Sequence, residues 1–201
     1  MARPKLHDDA LRIRLLDTAG TLLTSEGPDA LSLRRLAAEA GTSTSAVYAL
    51  FGGKPGILRA LFVEAFTRFA AHLDTVRPSD DPLADLLALG HAYRASALAD
   101  PHLYAVMFGS PVPGFEPAPS DYAHAEATFA PLLDTVRRAI AAGLLADADP
   151  DLIATALWAN VHGLVSLELR TATVRATVSP AELFDTAIRA SLNGWRKGPA
   201  V

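Results

Sequence analysis

Residues 32–51, SLRRLAAEAGTSTSAVYALF, limit the fold of this chain more than any other stretch, because they read as two short helices joined by a tight turn. Ala37 falls where two crossing helices come closest, and anything larger than a methyl group there would push them apart. Gly41 follows four residues later at the end of the first helix, where a positive φ costs little without a Cβ. Val47, six residues further on, returns an apolar side chain to the seam. Thr42, Ser43 and Thr44 follow the glycine, and any of them can cap the second helix by accepting from its free backbone N–H groups.

The second helix of such a pair begins with short hydroxyl side chains and open amides. In a helix-turn-helix that end meets base edges and phosphates in the major groove of DNA. The net charge of −4 argues against a polyanionic partner until its distribution is considered. Residues 1–59 carry eight Lys or Arg against six Asp or Glu, and residues 60–201 carry ten against sixteen, so the basic excess lies on the segment that holds the helix pair. A basic face on an acidic body binds phosphate locally without general adhesion.

The rest of the chain reads as helical. His7 to Glu26 carries Leu11, Leu15, Ala19, Leu22 and Leu23 at helical spacing, and Gly27 and Pro28 stop it. Ser32 caps the next helix and the recognition helix spans about Thr44 to Leu50. A long apolar helix is expected from near Lys54 to before Pro78, and two more open at Pro82 and Pro101. Residues 109–119 hold four prolines and form a loop, and three further helices cover roughly 120–145, 150–172 and 180–197. TATVRATV at 171–178 alternates in β fashion but is too short and isolated to found a sheet. The expected fold is all-α, with an N-terminal three-helix helix-turn-helix domain over residues 1–56 and a larger helical bundle over 57–201.

The first helix, the 32–51 segment and the following GGKPGILRALF together resemble the tetracycline-repressor (TetR) family of transcriptional regulators over roughly residues 10–62. Members typically show a Tyr, a Phe three residues later and a Lys after a short turn, here Tyr48, Phe51 and Lys54; Leu50 stands where a His is usual. The resemblance implies that Thr42, Ser43, Thr44, Ser45 and Tyr48 form the contact surface, that Ser32, Arg34, Arg35 and Lys54 meet the DNA backbone, and that Arg3 and Lys5 form a short basic arm. It implies a homodimer on double-stranded operator DNA, with repression as the usual mode and activation as the alternative.

LWANVHGLVSLEL, residues 157–169, resembles the Trp-(three residues)-His-Gly signature of a TetR subgroup with a WHG C-terminal domain. Trp158 and His162 share a helix face, and Gly163 permits close approach of another helix. The expected dimer seam uses Leu152, Ala156, Ala159, Leu164 and Leu167 with Leu183, Ile188 and Leu192, residues that serve equally well in an intramolecular core. A small, largely hydrophobic effector would contact Phe66, Phe69, His91, Tyr93, Tyr104, Met107, Phe108, Tyr122, Phe129, Trp158 and His162, an apolar and aromatic set with a few polar tips, most of which serve equally well as core residues, with packing favoured for Trp158 and His162.

Other classes find little support. The chain has no cysteine, no His-Glu-x-x-His, no Gly-rich phosphate loop and no Glu-x-x-His pair, so neither an enzyme nor a metal or cofactor site is expected. A helical module that binds only protein is the remaining rival. The N-terminus has no signal-peptide core and no uninterrupted apolar run nears the roughly 20 residues that span a bilayer, so a cytoplasmic protein without a membrane partner is expected.

Overall fold

Proline and aspartate set the helix starts. In the computed structural model, which describes residues 5–109, 115–170 and 178–197, the helices are α1 (Lys5–Glu26), α2 (Leu33–Glu39), α3 (Thr44–Phe51), α4 (Lys54–Leu73), α5 (Pro82–Ala99), α6 (Pro101–Phe108), α7 (Pro119–Ala141), α8 (Pro150–Leu169) and α9 (Pro180–Gly194). Pro opens α5 to α9, where its missing N–H would have had no partner in any case. Asp81 accepts from the amides of Leu83 and Ala84 to cap α5, and Asp149 accepts from that of Asp151 to cap α8. Gly27 and Gly143, at φ 84° and 69°, end α1 and α7.

Helices α4, α7, α8 and α9 stop short of their expected ends. Beyond α7 and α9 the chain is held by an isolated antiparallel bridge between Leu145 and Arg196, where the Ala146 amide donates to the Trp195 carbonyl at 2.8 Å. No longer β ladder occurs among the described residues. Of the expected loop, residues 110–114 lie outside them, as do 171–177 of the β-like segment and Arg3 of the basic arm.

The chain clusters into two compact units, and the division falls within α4 and α7. The first comprises the residues up to Arg68 with Asp100–Ala125, and the second Phe69–Ala99 with the residues from Glu126 onward. In the first, Leu15, Leu16, Leu36, Val47, Ile57, Leu61 and Leu103 are fully buried in one core. In the second, Val136, Ala139, Ile153 and Ala154 are fully buried, with Leu86, Leu145 and Leu192 beside them.

Within the second unit α8 packs on α5 and α9. Of the residues expected at a seam or in the core, Ile188 and Leu192 are buried within this unit, each 5% exposed. Gly163 has open space around it within the chain, and Gly90 on α5 lies close to Ile188 and Val161, at 3.5 and 3.6 Å from the position of a Cβ. Helix α8 is also long and apolar enough, by length and composition, to cross a bilayer. Asn160 and His162 interrupt the apolar run, yet the helix as a whole remains apolar on average. Its Glu168 is ion-paired with Arg94 of α5, and Ile153, Ala154 and Val165 are buried against protein.

Candidate nucleic-acid interface

Two serine caps and a left-handed glycine build the helix pair. Ser32 is extended, at φ −121° and ψ 150°, and its hydroxyl accepts from the Arg35 amide to start α2. Helix α2 ends at Ala40, Gly41 follows at φ +66°, and the Thr42 amide bonds back to the Ala37 carbonyl at 2.8 Å. Ser43, again extended, accepts from the Ala46 amide at 3.2 Å and starts α3. Ala37 and Val47 are both buried in the same core, 1% and 0% exposed. The turn is thereby closed by backbone bonds, and α3 is fixed on α2 through its buried side.

The outward side of α3 is polar but uncharged. Thr44, Ser45, Tyr48 and Ala49 are exposed, Tyr48 at 62%, whereas Thr42 is half-buried and the Ser43 hydroxyl is engaged as the cap. Of the five expected contact residues, three therefore present side chains outward without a structural duty in the turn.

The cations differ in the same way. The Arg35 guanidinium makes a bidentate pair with Glu26, at 2.8 and 2.6 Å, and donates to Glu39 at 2.8 Å. Those hydrogen bonds, that to Glu26 first, raise the guanidinium's pKa further, and the same contact holds the Glu26 carboxyl below its usual range. Lys54 donates from Nζ to the Pro28 carbonyl at 2.6 Å, tying the start of α4 to the α1–α2 connection. Arg34 is exposed and forms no hydrogen bond or ion pair among the described residues.

Sequence reasoning missed three supports of this unit. Arg14 donates to the Ala40 carbonyl at 3.1 Å and so completes the end of α2 from 26 residues away. The Arg12 guanidinium lies 5.9 Å from the centre of the Phe51 ring. Gly56 has no room for a side chain, because a Cβ there would lie 1.8 Å from the Phe51 carbonyl oxygen. A glycine two residues into a helical pattern was the available signal for the last of these.

The residues expected around an effector divide between the units. In the first, Phe66 packs edge-on against Phe62 and Phe108, Tyr104 lies tilted against Phe108 at 5.1 Å, Tyr122 meets Phe62, and Met107 lies against the core. In the second, Phe69 meets Tyr93 at 5.1 Å, the Tyr93 hydroxyl is hydrogen-bonded to His162 Nδ1 at 2.9 Å, and Trp158 lies between His162 and Phe129. Burial lowers the His162 pKa. His91 stands apart, with Nε2 3.2 Å from Asp185 and its ring against Phe184.

Comparison with known proteins agrees with this architecture at both ends of the chain. Residues 15–61 match the family described as bacterial regulatory proteins, tetR family, and residues 86–191 match the tetracyclin repressor-like C-terminal domain. HTH-type transcriptional regulator Rv1816 of Mycobacterium tuberculosis is 30% identical, over 80% of this chain and 81% of that protein. Among solved structures, the regulatory protein SCO4313 is 28% identical with a TM-score of 0.78, covering 96% of this chain and all (100%) of that one. The TetR family regulator PfmR from Thermus thermophilus shares the fold at 21% identity and a TM-score of 0.72, covering 90% of this chain and 97% of its own. With a helix-turn-helix whose caps, seam and turn are in place, and with both halves matched, this chain belongs to the TetR family of DNA-binding transcriptional regulators, and it is not an enzyme.

Proposed function

We propose that the chain acts as a cytoplasmic homodimer that represses transcription by holding a palindromic operator through the major groove, and that a small, largely hydrophobic effector releases it. The observation that carries this reading is the outward face of α3, exposed at Thr44, Ser45 and Tyr48 while Ser43 and Val47 fix the helix from behind. One such helix covers only a few base pairs, and a two-fold axis doubles the site into a palindrome.

Residues 1–56 serve as the DNA-binding domain in this reading, and 57–201 carry dimerisation and effector binding. The dimer surface lies on α8 and α9, where Leu152, Trp158, Leu167 and Leu183 are exposed large apolar side chains and Ala159, Gly163 and Ala190 are small. Helix α8 is apolar along its length yet little of it is buried within one chain, which a partner's α8 and α9 would remedy. The effector is held by the aromatic groups of the C-terminal domain and must bind the two states of the dimer unequally to move it between them.

Sedimentation of the full chain, alone and with DNA selected from a genomic library, tests the reading. A dimer that protects a two-fold symmetric site supports it. A monomer at micromolar concentration, or protection of an asymmetric site, overturns it.

A further inference from the structure

The chemistry of α3 says which bases it can read. From Gly41 to Gly53 the chain contains no Arg, Lys, Asn, Gln, His, Asp or Glu. Bidentate reading of guanine needs Arg or Lys, of adenine Asn or Gln, and acceptance from cytosine N4 needs a carboxylate. None of these can come from this helix. At 100° per residue, Ser45 and Ala49 stand on the opposite side of α3 from buried Val47, four residues apart on one line, and both are exposed. Thr44 and Tyr48 stand to one side of that line, about 60° and 100° from Val47, and are exposed as well. The exposed face thus carries the Ala49 methyl at its pole and the Thr44 methyl at its edge, with single hydroxyls from Thr44 and Ser45.

Only one unmodified base presents an apolar group to such a surface in the major groove, thymine with its C5-methyl. We infer that the half-site is read chiefly through thymine methyl groups packed on Ala49 and Thr44, which makes Ala49 a specificity-determining residue and places A·T pairs under the pole of α3. The hydroxyls of Thr44 and Ser45 add single hydrogen bonds that either base of the pair can satisfy. This inference rests on the operator reading above and adds the chemical identity of what is read.

The test uses the full-length protein and duplexes selected by it from a random pool. In the selected duplex, deoxyuridine replaces thymidine one position at a time, which removes the methyl and preserves base pairing. Affinity should fall about fourfold for each contacted methyl withdrawn, and about fifteenfold when both half-sites lose it. Ala49→Gly should weaken binding to the thymidine duplex by a similar factor and should add nothing on the deoxyuridine duplex, because the two changes remove the two sides of one contact. Thr44→Ser, which deletes only a methyl and retains the hydroxyl, supplies the same comparison without a glycine in the helix. Equal binding of thymidine and deoxyuridine duplexes, or a selected motif whose half-sites contain only G·C pairs, overturns the methyl reading and leaves operator binding standing. A protein that enriches no sequence overturns both.

Discussion

Gly20 on α1 and His102 on α6 are in contact at a distance that admits no side chain: a Cβ on Gly20 would lie 2.6 Å from the imidazole Cδ2. Both residues belong to the first unit, and α6 packs along α1 there. The His102 Nε2 atom is buried and has no hydrogen-bond partner among the described residues, so the ring is held by packing.

Replacement of Gly20 should therefore act through His102. Gly20→Val should destabilise the protein by about 1–3 kcal/mol through overpacking. Gly20→Ala should cost less, because the imidazole can turn away and the helix gains about 0.5–1 kcal/mol from losing a glycine. His102→Ala should recover most of the Gly20→Val loss. Urea midpoints of the single and double variants measure the coupling, and simple additivity would refute the contact's importance.

At Gly56 the neighbour cannot move aside. The clash at 1.8 Å is with the Phe51 carbonyl oxygen, a backbone atom in the last turn of α3. Gly56→Ala should destabilise the first unit by about 3 kcal/mol or more. Thermal unfolding followed by circular dichroism checks this, and a Tm within a degree or so of the parent would mean that the α3–α4 joint has slack.

The difference between Gly20 and Gly41 shows what the sequence discloses and what it conceals. Gly41 and Ser43 act on neighbours within six residues and Val47 on the adjoining helix, so their spacing carries their roles and makes the helix pair legible from the sequence alone. Arg14 and Gly20 act on partners whose proximity exists only after folding, the Ala40 carbonyl 26 residues from Arg14 and the His102 ring far along the chain from Gly20. The cations expected at the DNA backbone fall between these cases. Their positions follow from the helix pattern, but nothing local announces that Arg35 is held by Glu26 while Arg34 is not. The aromatic set was visible as a composition, and its division between two units was not.

That pairing ranks the two arginines. Arg34→Ala should weaken binding to all DNA sequences and shallow the salt dependence by about 0.9 for each phosphate that is no longer neutralised. Arg35→Ala should do so by less, since its guanidinium must first leave two carboxylates. Glu26→Gln should strengthen non-specific binding by releasing Arg35 and removing the negative charge paired with it. Fluorescence anisotropy across a salt series reads all three, and a larger loss for Arg35→Ala than for Arg34→Ala would reverse the ranking.

Stability should depend on pH in two separate windows. Burial lowers the His162 pKa, so the unfolded chain takes up a proton where the folded one does not. Stability should then be full above about pH 6.5 and fall as the pH drops from there toward the folded-state value. His162→Gln, which retains a hydrogen-bonding atom for Tyr93, should flatten that window. The second belongs to Asp85. Burial alone would raise its pKa, but the Ser79 hydroxyl and amide, at 2.6 and 2.9 Å, and Arg138 at 2.6 Å outweigh burial and hold the carboxyl below its usual range. Its contribution is present above about pH 3.9, where the unfolded carboxyl ionises, and is lost as the pH falls through the lower folded-state value. Asp85→Asn should flatten only this acid limb. Urea midpoints against pH for the parent and both variants separate the two effects, and a His162→Gln profile parallel to the parent's between about pH 5.5 and 7.5 would show that the imidazole is not buried neutral.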